Sequence, residues 1–230
     1  MATPSKVIIG IVTEGRSDSA LQACVSVLHL QMQLMNTPVH QGFQADFRFY
    51  KTNNEALEDL YRSKDFSGLF VLNWSSGVPG AFSLKAFSSS NEVVLGVHSD
   101  GVIDWDRVRE NITTGKESVE YAGINYNVEL EGVPGKDKYV KVKTAKMMDV
   151  FFVKRTALDY IASKYPSVVS KDGQHGSFAV EGVYDGQYLN ATQRFVQLYG
   201  KPVYADVEHG INKLAPQDFT GVVGNRTRLR

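Results

Sequence analysis

The chain has 230 residues, with 25 Lys and Arg against 25 Asp and Glu, so its formal net charge is zero. That balance excludes a global electrostatic attraction to nucleic acid or to an anionic membrane surface. Hydrophobic residues make up 43% and charged residues 22%, which excludes the disordered and fibrous classes and predicts one globular domain, residues 1–230, with its own core.

The N-terminal region and the cysteine content indicate the compartment in which the chain is made. Residues 1–6 are polar, without the apolar stretch of a secretion signal. The apolar run at residues 7–12 is too short to span a bilayer. The one cysteine, Cys24, excludes an intrachain disulfide. We therefore expect cytoplasmic synthesis without secretion, no membrane span and no nucleic-acid partner.

The first hundred residues alternate between strand and helix patterns. Apolar or alternating runs typical of strands occur at residues 6–12, 45–51, 68–72 and 92–97. Helical patterns lie between them, at residues 19–35, 54–63 and 78–87, with Asn54 as the expected N-cap of the second helix. This alternation predicts a parallel sheet with helices on both faces. The loops that follow its strands, residues 13–18, 52–54 and 73–77, then meet at the edge where ligands bind.

The second half predicts antiparallel strands at residues 118–131 and 139–143, joined by a Gly/Pro turn. An apolar run at residues 147–153 precedes a helix at 154–164, which ends before Pro166. A helix is predicted at residues 187–199 with Gly200 as its C-terminal cap, then a strand at 202–207 and a polar tail at 220–230.

Seven short segments carry a resemblance to a known family. They are GIVT at 10–13, TNNEAL at 52–57, LFVLNWS at 69–75, VVLGVH at 93–98, IDWDRV at 103–108, FFVKR at 151–155 and VYADV at 203–207, followed by His209. In this order and spacing they resemble the small GT-A glycosyltransferases of family 2 type from large viruses and phages. The resemblance implies a GT-A-like α/β fold with a mostly parallel central sheet, a nucleotide-binding-type half at about 6–110 and an acceptor-side half at about 111–219.

The residues at the expected ligand-binding edge differ from those that the family uses to hold a metal. Family members bind Mn²⁺ or Mg²⁺ with an Asp-x-Asp motif and often a late histidine, and the metal stabilises the departing diphosphate. Here Asn73, Trp74 and Ser75 stand in place of Asp-x-Asp. An amide and a hydroxyl bind a divalent cation weakly without an anionic partner. His209 remains the one candidate metal ligand, and one ligand does not make a metal site.

Three further family positions are changed. The family's carboxylate base aligns with Gly186-Gln187, which leaves Asp185, one residue earlier, as the candidate base or as a turn residue. The family's arginine becomes Asn53, and its Gly-Thr-Gly loop becomes residues 147–149. These substitutions, with an intact set of scaffold segments, imply lost or altered chemistry.

The other candidate residues at this edge each have two interpretations. Thr13 and Arg16 bind a nucleotide, with Arg16 on a phosphate, or they belong to a solvated turn. Asn53 and Asn54 bind a base or ribose, or they cap the following helix. Asn73, Trp74 and Ser75 are further candidates for nucleotide or sugar binding, in which Trp74 stacks on a sugar or a base; alternatively Trp74 is buried.

Three hypotheses about function follow from the resemblance. The favoured one is a catalytically degenerate glycosyltransferase-like protein, a pseudoenzyme retained as a binding or structural protein with protein partners in an assembly such as a virus particle. The alternative is an active glycosyltransferase that moves a sugar from a nucleotide diphosphate donor at an atypical, metal-independent site using Arg16, Lys51 and Asp185. The third is a binder of nucleotide sugars or glycans without turnover. No cofactor is expected, and Mn²⁺ or Mg²⁺ only if transfer is active.

Overall fold

The computed structural model describes residues 5–15, 21–36, 43–116, 122–169 and 177–213, and these form six α-helices and fourteen short or long strands. The helices are α1 (Leu21–Asn36), α2 (Asn53–Arg62), α3 (Gly80–Ser88), α4 (Trp105–Thr114), α5 (Arg155–Lys164) and α6 (Ala191–Tyr199). The strands are β1 (Ser5–Val12), β2 (Phe43–Tyr50), β3 (Gly68–Asn73), β4 (Ser76–Gly77), β5 (Val93–Gly96), β6 (Ser99–Ile103), β7 (Ile124–Tyr126), β8 (Val128–Glu131), β9 (Tyr139–Ala145), β10 (Val150–Lys154), β11 (Gly182–Tyr184), β12 (Gln187–Leu189), β13 (Tyr204–Asp206) and β14 (Asn212–Lys213).

Eight strands form the central sheet, in the order β2-β1-β3-β10-β5-β13-β9-β8. β1 is parallel to β2 and β3, and β13 is parallel to β5. β10 and β9 are antiparallel to their neighbours on both sides. All other strands of the sheet therefore run in one direction, which confirms a mixed α/β architecture with a mostly parallel central sheet.

The position of β10 is not indicated by the sequence pattern. The first hundred residues predicted a parallel sheet, and their strands β1, β2, β3 and β5 do run in one direction, but β10 from the second half lies between β3 and β5. Its residues are completely apolar from Val150 to Val153, so it can be buried on both faces. A local pattern shows that a segment is a buried strand but not which strands it pairs with.

Helices pack on both faces of the sheet and enclose two core layers. One layer contains buried residues of α2, α5 and α6, and the other contains those of α1 and α3. Successive side chains of a strand point to opposite faces, so Phe151 and Val153 enter the first layer while Phe152 enters the second. The same strands therefore contribute side chains to both core layers.

Two helices begin at residues other than those predicted. α2 is capped by Thr52, whose hydroxyl accepts a hydrogen bond from the backbone N–H of Glu55, so the prediction of Asn54 as N-cap was wrong. The helix predicted at 187–199 begins only at Ala191, because Asn190 and Gln193 form a capping box there. Residues 187–189 instead form β12. The prediction of Gly200 as the C-terminal cap of this helix is confirmed, since Gly200 has a left-handed φ of 61°.

The basic pair Lys154-Arg155, one of the segments in the family resemblance, has a structural role. Arg155 donates hydrogen bonds to the backbone carbonyls of Leu60, Tyr61, Ser63 and Phe66, which lie at and after the C-terminal end of α2. Lys154 donates to the carbonyl of Ser89, just after α3. The pair therefore satisfies carbonyls that the helix ends leave without partners.

Among the described residues, no helix is both long enough and apolar enough to cross a membrane.

Candidate functional site

Polar residues at the ends of five strands lie along one edge of the central sheet, the edge at which the parallel strands have their C-terminal ends. Glu14 follows β1, Asn73 ends β3, His98 follows β5 and Asp206 ends β13. Asp149 directly precedes the antiparallel β10, so it reaches the same edge, and its carbonyl accepts a 2.7 Å hydrogen bond from the N–H of Asn73. Three acidic side chains, Glu14, Asp149 and Asp206, therefore lie next to the strand ends where the α/β pattern predicted a ligand-binding crevice.

Glu14 is held by the residues that stand in place of Asp-x-Asp. The Asn73 side-chain amide donates to Glu14 Oε1 at 2.7 Å, and Trp74 Nε1 donates to Glu14 Oε2 at 3.2 Å. The Asn73 side-chain oxygen accepts from the backbone N–H and the hydroxyl of Ser75, at 3.2 and 3.0 Å. Glu14 adopts a left-handed φ of 52°, which is uncommon for a residue other than glycine. The amide of Asn73 thus links the first loop to the end of β3.

The segment after β13 crosses the edge and brings a lysine to Asp149. Gly96 allows this path, because a Cβ there would lie 2.7 Å from the Ile211 side chain. The Ile211 N–H donates to the carbonyl of Val97, and β14 pairs with β4. Lys213, on β14, donates to Asp149 Oδ2.

His98 lies next to Asp149 of this ion pair, and its side chain is 0% exposed. Its Nδ1 lies 2.7 Å from the carbonyl oxygen of Ser99, which can only accept, so Nδ1 carries a proton. Its Nε2 lies 3.5 Å from Asp149 Oδ2 and has no hydrogen-bond partner among the described residues. Burial lowers the pKa of His98, and the neighbouring Asp149 carboxylate opposes this effect only in part.

Lys85 contacts the third acidic residue, Asp206. Asp206 belongs to the one cluster within the described ranges whose side chains could hold a metal ion. Asp206, Glu208 and His209 bring one ligand atom each within 4.8 Å of one another. Lys85 Nζ lies 3.1 Å from Asp206 Oδ1 and 2.9 Å from Glu208 Oε2, and His209 Nδ1 lies 2.9 Å from Asp206 Oδ2. Burial alone would lower the pKa of Lys85, but its hydrogen bonds to Glu208 and Asp206 raise it. A divalent ion at this cluster would have to displace the Lys85 ammonium group, which contacts one oxygen of Asp206 and one of Glu208.

The predicted site residues of the first two loops also have partners within the chain. Thr13 donates through its hydroxyl and its N–H to the carbonyl of Tyr50. The Asn53 side chain donates to the carbonyl of Met148 at 3.1 Å. The Asn54 side chain donates to Glu58 and accepts from the N–H of Ala179. These contacts join the loop after β2 to the second half of the chain. Arg16 lies outside the described residues.

Asp185 occupies a two-residue turn between β11 and β12. Asp185 and the following Gly186 have φ of 50° and 77°, the pair of positive values that a type I′ hairpin turn requires. Asp185 borders a cavity of about 440 Å³ that Tyr165, Arg194 and Gln197 also line. The Arg194 guanidinium lies over the Tyr184 ring, 3.7 Å from its centroid. Asp-Gly is a favoured pair in such a turn, which explains an aspartate at this position. The role of Asp185 as a base stays a prediction.

Sequence reasoning missed the lysines of the site. Lys85 contacts a carboxylate 121 residues away, and Lys213 contacts one 64 residues away. Neither lysine lies in a segment whose local pattern indicates a site. Asp206 lies in the segment at 203–207, and Asp149 lies in residues 147–149, which replace the family's Gly-Thr-Gly loop. Their positions next to strand ends are the signal that could have identified them.

The chain matches no protein-family model and no curated protein. Solved structures with a similar chain path include A197 from STIV, at 13% identity and a TM-score of 0.43, covering 91% of this chain and 85% of that one. Another is the inositol-1-phosphate CTP transferase from T. maritima, at 11% identity and a TM-score of 0.39, covering 96% of both chains. A third is a glycosyltransferase involved in the glycosylation of the major capsid of PBCV-1, at 11% identity and a TM-score of 0.27, covering 89% and 93%. These TM-scores are below 0.5, and the proposals below rest on this chain's own residues.

Proposed function

We propose that this protein is a glycosyltransferase-like protein of the GT-A type whose metal-dependent chemistry is degenerate, and that it acts as a binding or structural protein. One observation carries the proposal: each of the three carboxylates at the sheet edge is already engaged by donors of the same chain. Glu14 is engaged by Asn73 and Trp74, Asp149 by Lys213, and Asp206 by Lys85.

A divalent cation would have to displace these donors before it could bind. Mg²⁺ and Mn²⁺ select oxygen ligands, preferably charged ones. At Glu14 the ion would break two hydrogen bonds, and at Asp206 it would expel an ammonium group. Hydrogen bonds to charged groups contribute about 1.5–3 kcal/mol each. The internal partners therefore compete with the metal at each carboxylate, which supports a site that does not use one.

Calorimetric titration with a panel of nucleotide diphosphate sugars, with and without Mn²⁺, tests this proposal. We expect no binding that depends on Mn²⁺ and no sugar transfer. The Lys85→Met variant is the matched control, because it removes the competing cation and leaves Asp206, Glu208 and His209 in place. Mn²⁺ should bind this variant more tightly than the original chain. Mn²⁺-dependent binding of a nucleotide sugar to the original chain would overturn the proposal.

An active, metal-independent glycosyltransferase is the second candidate. It depends on Lys85 and Lys213 leaving their carboxylate partners, Asp206, Glu208 and Asp149, to neutralise a departing diphosphate. In this candidate Arg16 and Lys51 contact the donor and Asp185 is the base. Asp185→Asn is the sharpest variant, because asparagine also favours the type I′ turn and the hairpin is retained. A transfer rate that falls at least about a hundredfold in this variant would support the candidate, since general-base catalysis contributes about that much or more. An absence of transfer with every donor would exclude it.

A further inference from the structure

The two outermost strands of the central sheet, β8 and β2, differ in how far they are protected against pairing with another strand. β8, at one edge, has four residues, and its pairing with β9 is interrupted by a register shift between Glu129 and Leu130. Such irregularities discourage edge-to-edge association. β2, at the other edge, has eight residues in unbroken parallel register with β1, without proline or a bulge. An edge strand of this length is a template for a further strand.

The backbone groups on the outer side of β2 can be identified from its pairing with β1. The carbonyl of Tyr50 accepts a hydrogen bond from the N–H of Thr13, so the backbone of Tyr50 points toward β1. Backbone direction alternates along a strand. Ala45, Phe47 and Phe49 therefore point their N–H and C=O groups outward, and no described residue outside β1 pairs with β2 in the sheet.

The charges on β2 distinguish between the three central registers in which two copies of this strand can pair, those centred on residues 46, 47 and 48. If β2 pairs antiparallel with its copy so that Phe47 lies opposite Phe47, each Asp46 lies opposite Arg48 of the second copy. A shift that centres the pair on residue 46 places two aspartates opposite each other, and a shift to residue 48 does the same with two arginines. Opposite charges directly across a strand pair stabilise it, and like charges destabilise it. With Phe47 at the centre, Phe47 and its copy form a hydrogen-bonded pair, because the N–H and C=O groups of both residues point outward.

We propose that the protein forms a homodimer through antiparallel pairing of β2 with β2 of a second copy, centred on Phe47. The interface is isologous, with a two-fold axis through Phe47, and it joins two eight-stranded sheets into one. Within one chain Arg48 donates to Asp46 at 2.6 Å, and the Asp46 side chain is 49% exposed. In the dimer each Asp46 therefore lies between Arg48 of its own chain and Arg48 of the second copy. Phe49, 63% exposed in the single chain, then packs over Ala45 of the second copy.

Sedimentation equilibrium of the full chain over a range of concentrations tests the dimer. We expect the mass of two chains. Asp46→Lys and Arg48→Glu each place like charges opposite each other at two symmetric positions, so each should weaken the dimer by about tenfold or more. An equimolar mixture of the two variants should dimerise again. In the mixed dimer the introduced lysine of one chain faces the introduced glutamate of the other, and the retained Arg48 faces the retained Asp46.

Two further variants keep the test decisive if Arg48→Glu, which also loses its contact with Asp59, fails to fold. Ala45→Pro removes an outward N–H and leaves the hydrogen bonds to β1 intact, so it should give a folded monomer by circular dichroism and sedimentation. Asp106→Lys, a change at a 91% exposed side chain on α4, should leave the dimer unchanged. The proposal is overturned by a monomeric original chain, by a dimer that survives Ala45→Pro, or by a mixture that stays monomeric.

Discussion

Asn73 stands where the family resemblance expects an acidic residue, and its amide makes a contact that a carboxylate could not make. It donates to Glu14 and accepts from Ser75, so both ends of the side chain are used. Asn73 is 7% exposed, and its partner Glu14 has a left-handed backbone conformation. The amide therefore stabilises an acidic residue at the position from which the family's negative charge is missing.

Replacing this amide by a carboxylate should destabilise the protein in a pH-dependent way. In Asn73→Asp the new carboxylate lies against Glu14, and this like charge raises the folded-state pKa of the new carboxyl group above its unfolded value of about 4. A raised carboxyl pKa means that stability is retained at low pH and lost as pH rises. We expect the variant to lose about 2 kcal/mol of unfolding free energy near pH 7 and much less near pH 4.

Urea denaturation at the two pH values measures this difference. Asn91→Asp is a control with the same chemical change in the loop before β5, and it should show no such pH dependence. An Asn73→Asp variant as stable as the original chain near pH 7 would show that the two carboxylates are separated, against the observed contact.

At the scale of elements, β2 and α2 are joined by one ionic network. Arg48 on β2 donates to Asp59 on α2 at 2.7 Å, and the Tyr50 hydroxyl donates to the same oxygen at 2.5 Å. Burial raises the pKa of Tyr50, and its hydrogen bond to Asp59 raises it further. Burial alone would raise the pKa of Asp59, but the hydrogen bonds from Tyr50 and Arg48 outweigh burial and lower it. The network thus favours the ionised Asp59.

The lowered pKa of Asp59 predicts the direction of a pH effect. A carboxyl group whose pKa is lower in the folded state contributes stability above its unfolded value, near 4, and loses it as pH falls. Asp59→Asn should therefore cost about 1 kcal/mol near pH 7, a modest value because the side chain is partly exposed to solvent. The difference from the original chain should shrink toward pH 3.

Thermal unfolding monitored at several pH values measures this effect. Asp65→Asn, in the loop after α2, is the matched control. A constant difference between Asp59→Asn and the original chain across the pH range would mean that the charge of Asp59 contributes nothing.

Elements also show where local patterns succeed and where they fail. The apolar runs located β1, β3 and β5 within one or two residues, because strand periodicity is a property of neighbouring residues. The segment at 187–199 contains helix-compatible residues throughout, yet its first three residues pair with β11 across the turn at Asp185. A cross-strand partner and a capping box outweighed intrinsic preference there.

On the scale of the whole molecule, the sheet connects the two halves of the sequence. β10 lies between β3 and β5, and β13 lies between β5 and β9. Both core layers contain side chains from β10 and from strands of the first half. Each core layer therefore contains side chains from both halves, and the one-domain organisation stays a prediction.

This arrangement predicts a single cooperative unfolding transition. Far-ultraviolet circular dichroism and tryptophan fluorescence should give coincident curves in urea. Trp105→Phe leaves Trp74, at the end of β3, as the one fluorescent tryptophan and should not shift the midpoint, because Trp105 is 56% exposed. Two separate transitions would show that the halves at about 6–110 and 111–219 unfold independently.

Local sequence patterns are sufficient to predict an α/β fold, most of its strands and helices, and the loops at which polar residues lie. These features depend on periodicity, capping and turn residues, which act over a few positions along the chain. Long-range packing places β10 beside β3, brings Lys85 and Lys213 to Asp206 and Asp149, and leaves β2 with β1 as its one sheet neighbour among the described residues. Such pairings join residues far apart in the chain, and they depend on packing and charge in three dimensions, which no local pattern records.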